Sequence, residues 1–122
     1  MANKAIIGTE SYAQASVRAL EIARRFDAGE SVSQADFHLN FSGAAQLFAE
    51  MTPARLALLE ALKQSGPLSI YALAKQVGRN YSNVHRDIKK LLELGLVEKD
   101  DAKRVLVPWD EIIIHAEIRH VA

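Results

Sequence analysis

Between Lys75 and Lys90 the chain carries five basic side chains, Lys75, Arg79, Arg86, Lys89 and Lys90, against a single acid, Asp87. At 100° per residue on a helix, Ser82, Arg86, Lys89 and Glu93 fall opposite the apolar positions Val84, Ile88, Leu91 and Leu92, with Asn83, His85 and Lys90 on the flanks. A face of this kind suits duplex nucleic acid, because arginine can donate two parallel hydrogen bonds to guanine and asparagine can pair with adenine. Arg86 is the candidate for guanine and Asn83 for adenine. Ser82 and Tyr81 can reach phosphate or a base edge, while Lys89, Lys90 and Arg79 are better suited to phosphates. Against this stands the commoner fate of charged residues on an outer helix face, which is simple solvation. Asp87, paired with Arg86 or Lys90, would also weaken the field.

The elements around this segment must hold it in place. Ser69 to Leu94 reads as two short helices joined by a tight glycine turn, the outline of a helix-turn-helix. Ser69 caps the first, in which Ile70, Leu73, Ala74 and Val77 recur at one-face spacing, and Leu68 before the cap can pack on Leu73. Gly78 can leave that helix in the left-handed conformation, and Asn80 or Ser82 can cap the next. Gly95 ends the second helix with Leu96 placed for a Schellman cap. Gly95 to Lys99, the polar stretch Asp100 to Lys103, and Arg104 to Val107 then read as a hairpin. Its Lys103 and Arg104, with Lys99 across from them, can enter a minor groove or grip the backbone. A helix-turn-helix followed by such a wing is a winged helix, whose expected ligand is double-stranded DNA. Upstream, Thr52-Pro53 opens a helix with Leu56, Leu59 and Leu62 inward and Leu58 alongside, stopped at Ser65-Gly66-Pro67.

The first third is less directly tied to this surface. Residues 10 to 27 predict an amphipathic helix with Ala13, Val17, Leu20 and Ile22 or Ala23 on its inner side. Residues 35 to 41 alternate as a short strand with Phe37, Leu39 and Phe41 on one face, and Ser42 caps a brief helix through Met51. After Pro108-Trp109, β-branched residues from Ile112 to Val121 predict a last strand, with Trp109 a packing anchor under the wing.

Composition bounds the function classes. A chain of 122 residues, 49% of them apolar, suits one domain with an extension, and its fifteen basic and fifteen acidic residues cancel. The absence of cysteine excludes disulfides and thiolate zinc and fits a reducing, cytoplasmic setting. No apolar run is long enough for a membrane span, and no signal peptide is expected at the N-terminus. His115, Glu117 and His120 resemble metal ligands in type. Alternation places His115 and Glu117 on one strand face and His120 on the other, so an exposed strand is the simpler reading and no metal or other cofactor is expected. His38 is isolated and has no assigned role. With no phosphate loop, paired carboxylates or activated nucleophile, no catalytic residue is assigned and an enzyme is not expected.

The residues Thr52-Pro53-x-Arg55-Leu56, Gly66-Pro67-Leu68-Ser69, Leu73-Ala74, Gly78-Arg79, Val84-His85-Arg86-Asp87 and Leu91 to Val97 together resemble the MarR-like winged-helix regulators. The resemblance is strongest to a group of short DNA-binding proteins, some regarded as antitoxins, and spans about Phe41 to Glu111. It implies a homodimer acting on its own promoter and a toxin protein as a further partner, with Ser82, Asn83 and Arg86 facing bases and Arg104 in the wing. Ala54 and Tyr71 depart from the basic residues common at those helix starts. The expected fold is α+β, mainly α: a winged helix-turn-helix over residues 52–122, including the C-terminal strand, with a helix-strand-helix extension over 1–51 for dimer or partner contacts. The competing reading is a winged-helix protein-interaction module without intrinsic DNA binding.

Overall fold

The computed structural model describes residues 3–29 and 36–118. It divides into two units, one formed by Met51–Trp109 and the other by the residues up to Glu50 together with those from Asp110 onward.

The Met51–Trp109 unit is a winged helix. Helix α3 (Pro53–Ser65) starts where Thr52 accepts from the Arg55 amide with proline at the first helical position. Helix α4 (Ile70–Val77) starts where Ser69 accepts from Ala72, and α5 (Tyr81–Glu93) where Asn80 accepts from Ser82. Each cap satisfies an amide that would otherwise lack a partner, worth about 1 kcal/mol. Gly78 leaves α4 at φ 69° and ψ 34°, the left-handed region, so only Arg79 and Asn80 separate it from the first residue of α5. At the far end of α5 the Leu96 amide reaches the Leu91 carbonyl and the Gly95 amide the Leu92 carbonyl, the paired bonds of a Schellman cap.

Beneath these helices Leu58, Leu59, Leu62, Leu73, Val84, Ile88, Leu91, Leu96, Val97 and Val105 are buried. Leu58 joins Leu59 and Leu62 inside, whereas Leu56 is only half-buried, so the inner stripe of α3 is rotated slightly from the expected one. The wing pairs β3 (Glu98–Lys99) antiparallel with β4 (Val105–Leu106). Leu68 adds a further rung, exchanging hydrogen bonds with Val105 at 3.0 and 2.7 Å, which ties the segment before α4 to the wing. Trp109 anchors the unit's end: its indole N–H donates to the Gly95 carbonyl at 3.1 Å, and its own carbonyl accepts from Lys63 Nζ at 2.8 Å.

The other unit contains strands β1 (Lys4–Gly8), β2 (Phe37–Asn40) and β5 (Glu111–His115), in the order β2-β1-β5 and all parallel. It also contains α1 (Tyr12–Asp27), opened by a Ser11/Gln14 capping box, and the seven-residue α2 (Ala44–Glu50). Register places Ala5 and Ile7 level with Phe37 and Leu39 on one side and Ile112 and Ile114 on the other, so these six share a sheet face. Ala5 and Ile7, at its centre, are fully buried.

Three expectations change here. The sequence assigns the last strand to the winged helix, yet β5 hydrogen-bonds to β1 and groups with the N-terminal elements, because β1 offers a central strand that periodicity did not reveal. That strand is also shorter than expected: β5 ends at His115, and residues 119–121 of the expected span lie outside the described residues. On α1, Val17 and Leu20 are 66% and 58% exposed rather than inward. The half-buried positions are Ala15, Arg18 and Ile22, because Arg18 turns inward to pair with Glu10 and to reach His38 Nδ1 at 3.1 Å. No helix among the described residues is long and apolar enough to cross a membrane.

Candidate nucleic-acid interface

Helix α5 has one buried side, formed by Val84, Ile88 and Leu91, and an exposed opposite side. Tyr81, Ser82, Asn83, His85, Arg86 and Lys89 are all exposed, and Lys90 is half-buried. Burial of Val84, Ile88 and Leu91 decides which side of the helix faces inward and therefore which residues form the outer ridge. Arg86 has no ion-pair partner among the described residues, leaving its five donors for an external acceptor. Tyr81 and His85 form a tilted ring pair one helical turn apart, with centroids 5.8 Å apart. On α4, Lys75 Nζ lies 5.7 Å from the centre of the exposed Tyr71 ring, so the helix carries a cation one turn after Tyr71. The i, i+4 spacing of both pairs could have revealed them.

Asp87 behaves differently from expectation. It pairs with neither Arg86 nor Lys90. Its Oδ1 accepts from Arg55 Nε at 3.1 Å and its Oδ2 from Arg79 Nη2 at 2.8 Å. At position 87 the side chain sits on the inward flank of α5, where the first turn of α3 and the turn before α5 converge. Burial pushes the Asp87 carboxyl upward, but hydrogen bonds and charge from Arg79 and Arg55 outweigh this and hold it below the ordinary carboxylate value. Arg79 is consequently committed to an internal partner, where the sequence predicts a phosphate contact. In the sequence Arg55 stands out only as part of the Thr52-Pro53-x-Arg55-Leu56 motif.

In the wing, Lys99, Lys103 and Arg104 are all exposed. Asp100 organises the tip: its Oδ1 accepts from the amides of Ala102 and Arg104, and its Oδ2 from Arg104 Nε at 2.9 Å. Lys103 takes the left-handed conformation at φ 62°, and its amide donates to the Asp100 carbonyl. The arrangement presents Lys103 and Arg104 from an ordered turn. Glu98, Asp100 and Asp101 nevertheless balance the three wing cations.

The other unit has a crevice of about 260 Å³ at the carboxyl ends of its parallel strands, lined by Gly8, Glu10, His38, Asn40, His115 and Glu117 among others. His115 Nε2 lies 2.9 Å from Glu117 Oε1. No three metal-ligating side chains gather among the described residues, and His120 lies outside them.

The HVO_A0114 family profile matches residues 50–114, which takes in the whole winged helix. The chain is also similar to the HTH-type transcriptional regulator NmtR of Mycobacterium tuberculosis (strain ATCC 25618 / H37Rv), at 36% identity over 88 residues, covering 64% of this chain and 72% of that protein. The capped three-helix unit with a wing is the part matched by that profile, and with 36% identity to an HTH-type transcriptional regulator beside it, the chain belongs to the HVO_A0114 family.

Proposed function

We propose that this protein is a sequence-specific DNA-binding transcriptional regulator that lays α5 in a major groove and the wing against the adjoining backbone or minor groove. The observation that carries this reading is the two-sidedness of α5: Val84, Ile88 and Leu91 are fully buried, while Ser82, Asn83, Arg86 and Lys89 face outward. Similarity to a transcriptional regulator supports it. In this reading Arg86 and Asn83 contact base edges, Tyr81 and Ser82 reach bases or phosphates, and Lys89, Lys90, Lys99, Lys103 and Arg104 hold the backbone. The protein is cytoplasmic, and no catalytic step is assigned to it.

The finer reading follows the resemblance to MarR-like regulators. One small winged helix makes few base contacts, and two-fold pairing on half-sites about one helical turn apart, roughly 34 Å, supplies the rest. Such a homodimer acts on its own promoter and serves as the antitoxin of a toxin–antitoxin pair. Co-purification with the product of an adjacent small gene tests the toxin partnership.

The experiment for DNA binding itself is a salt titration with duplex DNA from upstream of the protein's own gene. If several phosphates are contacted, the logarithm of affinity falls linearly with the logarithm of salt concentration, by about 0.9 per phosphate neutralised. Absence of binding at low salt overturns the proposal and favours the protein-interaction reading that the neutral net charge allows.

A further inference from the structure

The inward flank of α5 holds the one acid of its basic stretch, Asp87, and that carboxylate is shared between two other elements of the fold. Arg55, in the first turn of α3, takes one oxygen at 3.1 Å, and Arg79, in the turn before α5, takes the other at 2.8 Å. The side chains are only 14% (Asp87), 17% (Arg55) and 30% (Arg79) exposed, so water competes weakly for these bonds. A carboxylate held at both oxygens by separate guanidinium groups has its plane fixed. Because it is rooted in α5, it also fixes the rotation of that helix about its own axis relative to α3 and the turn. Apolar packing of Val84, Ile88 and Leu91 is non-directional and constrains this angle less sharply than hydrogen bonds do.

On the reading that α5 enters DNA, we propose that Asp87 is a positioning residue for base recognition: the Arg55–Asp87–Arg79 bridge sets the angle at which α5 presents Arg86, Ser82 and Asn83 to the groove. Asp87 itself contacts no DNA. The lever is short but sufficient. Side chains extend about 6 Å from a helix axis, so a rotation of about 10° carries their ends about 1 Å, beyond the ~0.5 Å tolerance of a preorganised site.

A role for Asp87 as a mere negative charge on a basic face predicts the opposite sign, because neutralising it would then strengthen binding to every sequence. The test uses the full chain and measures fluorescence anisotropy with two duplexes: one selected by the wild-type chain from a random pool, and a scrambled duplex of the same composition. The variants are Asp87→Asn, which adds net positive charge, and Arg55→Lys, which keeps the charge but loses the planar fork. The expected result is that both lower the selected-to-scrambled affinity ratio, by about tenfold for Asp87→Asn, the weight of one mis-set base contact. Scrambled binding is expected to rise slightly for Asp87→Asn and stay unchanged for Arg55→Lys. A ratio that is unchanged or improved in Asp87→Asn overturns the proposal. Should that variant fail to fold by circular dichroism, Arg55→Lys decides, and an unchanged ratio there overturns it. If the wild-type chain selects no duplex, the DNA-binding reading fails and this inference falls with it. If the wild-type chain discriminates while folded variants match it, only the positioning role is lost.

Discussion

Replacing Gly78 with alanine isolates the backbone contribution to the turn that sets α5. Gly78 sits at φ 69° and ψ 34°, and no heavy atom lies within 4 Å of where a Cβ would stand. The substitution therefore meets no steric obstacle, and its cost is conformational. An L-residue in the left-handed region costs about 1–2 kcal/mol, while alanine stiffens the unfolded chain and returns about 0.4–1 kcal/mol. The net destabilisation expected is about 1 kcal/mol. Gly66 provides the internal comparison: its Cβ site is equally open, but at φ 80° and ψ −166° it occupies a region that is essentially restricted to glycine. The same unfolded-state return applies to both substitutions, so Gly66→Ala should cost more than Gly78→Ala by the difference between the two backbone regions alone. Urea denaturation of the full chain reads both, as a fall in midpoint at constant m. The refuting result is Gly78→Ala destabilising as much as or more than Gly66→Ala, since that would mean the turn is held by contacts and not by its dihedral angles.

Other perturbations act on the same unit. Leu91→Ala, at a fully buried position on the inner side of α5, should cost about 2–5 kcal/mol in denaturant unfolding. Asn80→Ala removes the acceptor 2.8 Å from the Ser82 amide and should cost about 1 kcal/mol, visible as reduced thermal stability. Asp87 has a carboxyl held below its ordinary value of 3.8 in the folded chain, so its stabilisation is complete above that value and is lost as pH falls through the folded one. The stability difference between wild type and Asp87→Asn should thus be largest near neutral pH and shrink below about pH 4. A difference that grows on acidification would contradict the bridge.

What the sequence made legible was mostly local. Thr52, Ser69 and Asn80 act as caps because each lies within three residues of the amide it satisfies, and Gly78 and Gly95 end their helices for reasons confined to one turn. The outer ridge of α5 was readable because the apolar spacing of Val84, Ile88 and Leu91 leaves only one place for Arg86 and Ser82 to point. Features that depend on distant partners were not. Strand β1 is five residues long, and its pairing partners lie around residues 37–40 and 111–115, so nothing near it in sequence marks it as central. Helix α1 offers two stripes, one through Val17 and Leu20 and one through Ala15 and Ile22, and the hydrogen-bonding reach of Arg18 toward Glu10 and His38 accompanies the second. One of the two partners of Asp87 is Arg55, 32 residues away, which local charge spacing on α5 could not disclose.

In the proposed DNA complex the outward side of α5 reads bases through Arg86. The most direct measurement compares wild type, Arg86→Ala and Lys89→Ala on the selected duplex and on its single-base variants. Arg86→Ala should lose about 1–3 kcal/mol and relax preference at one base position, while Lys89→Ala should weaken all sequences alike. Unchanged affinity and unchanged base preference in Arg86→Ala would contradict this role of Arg86.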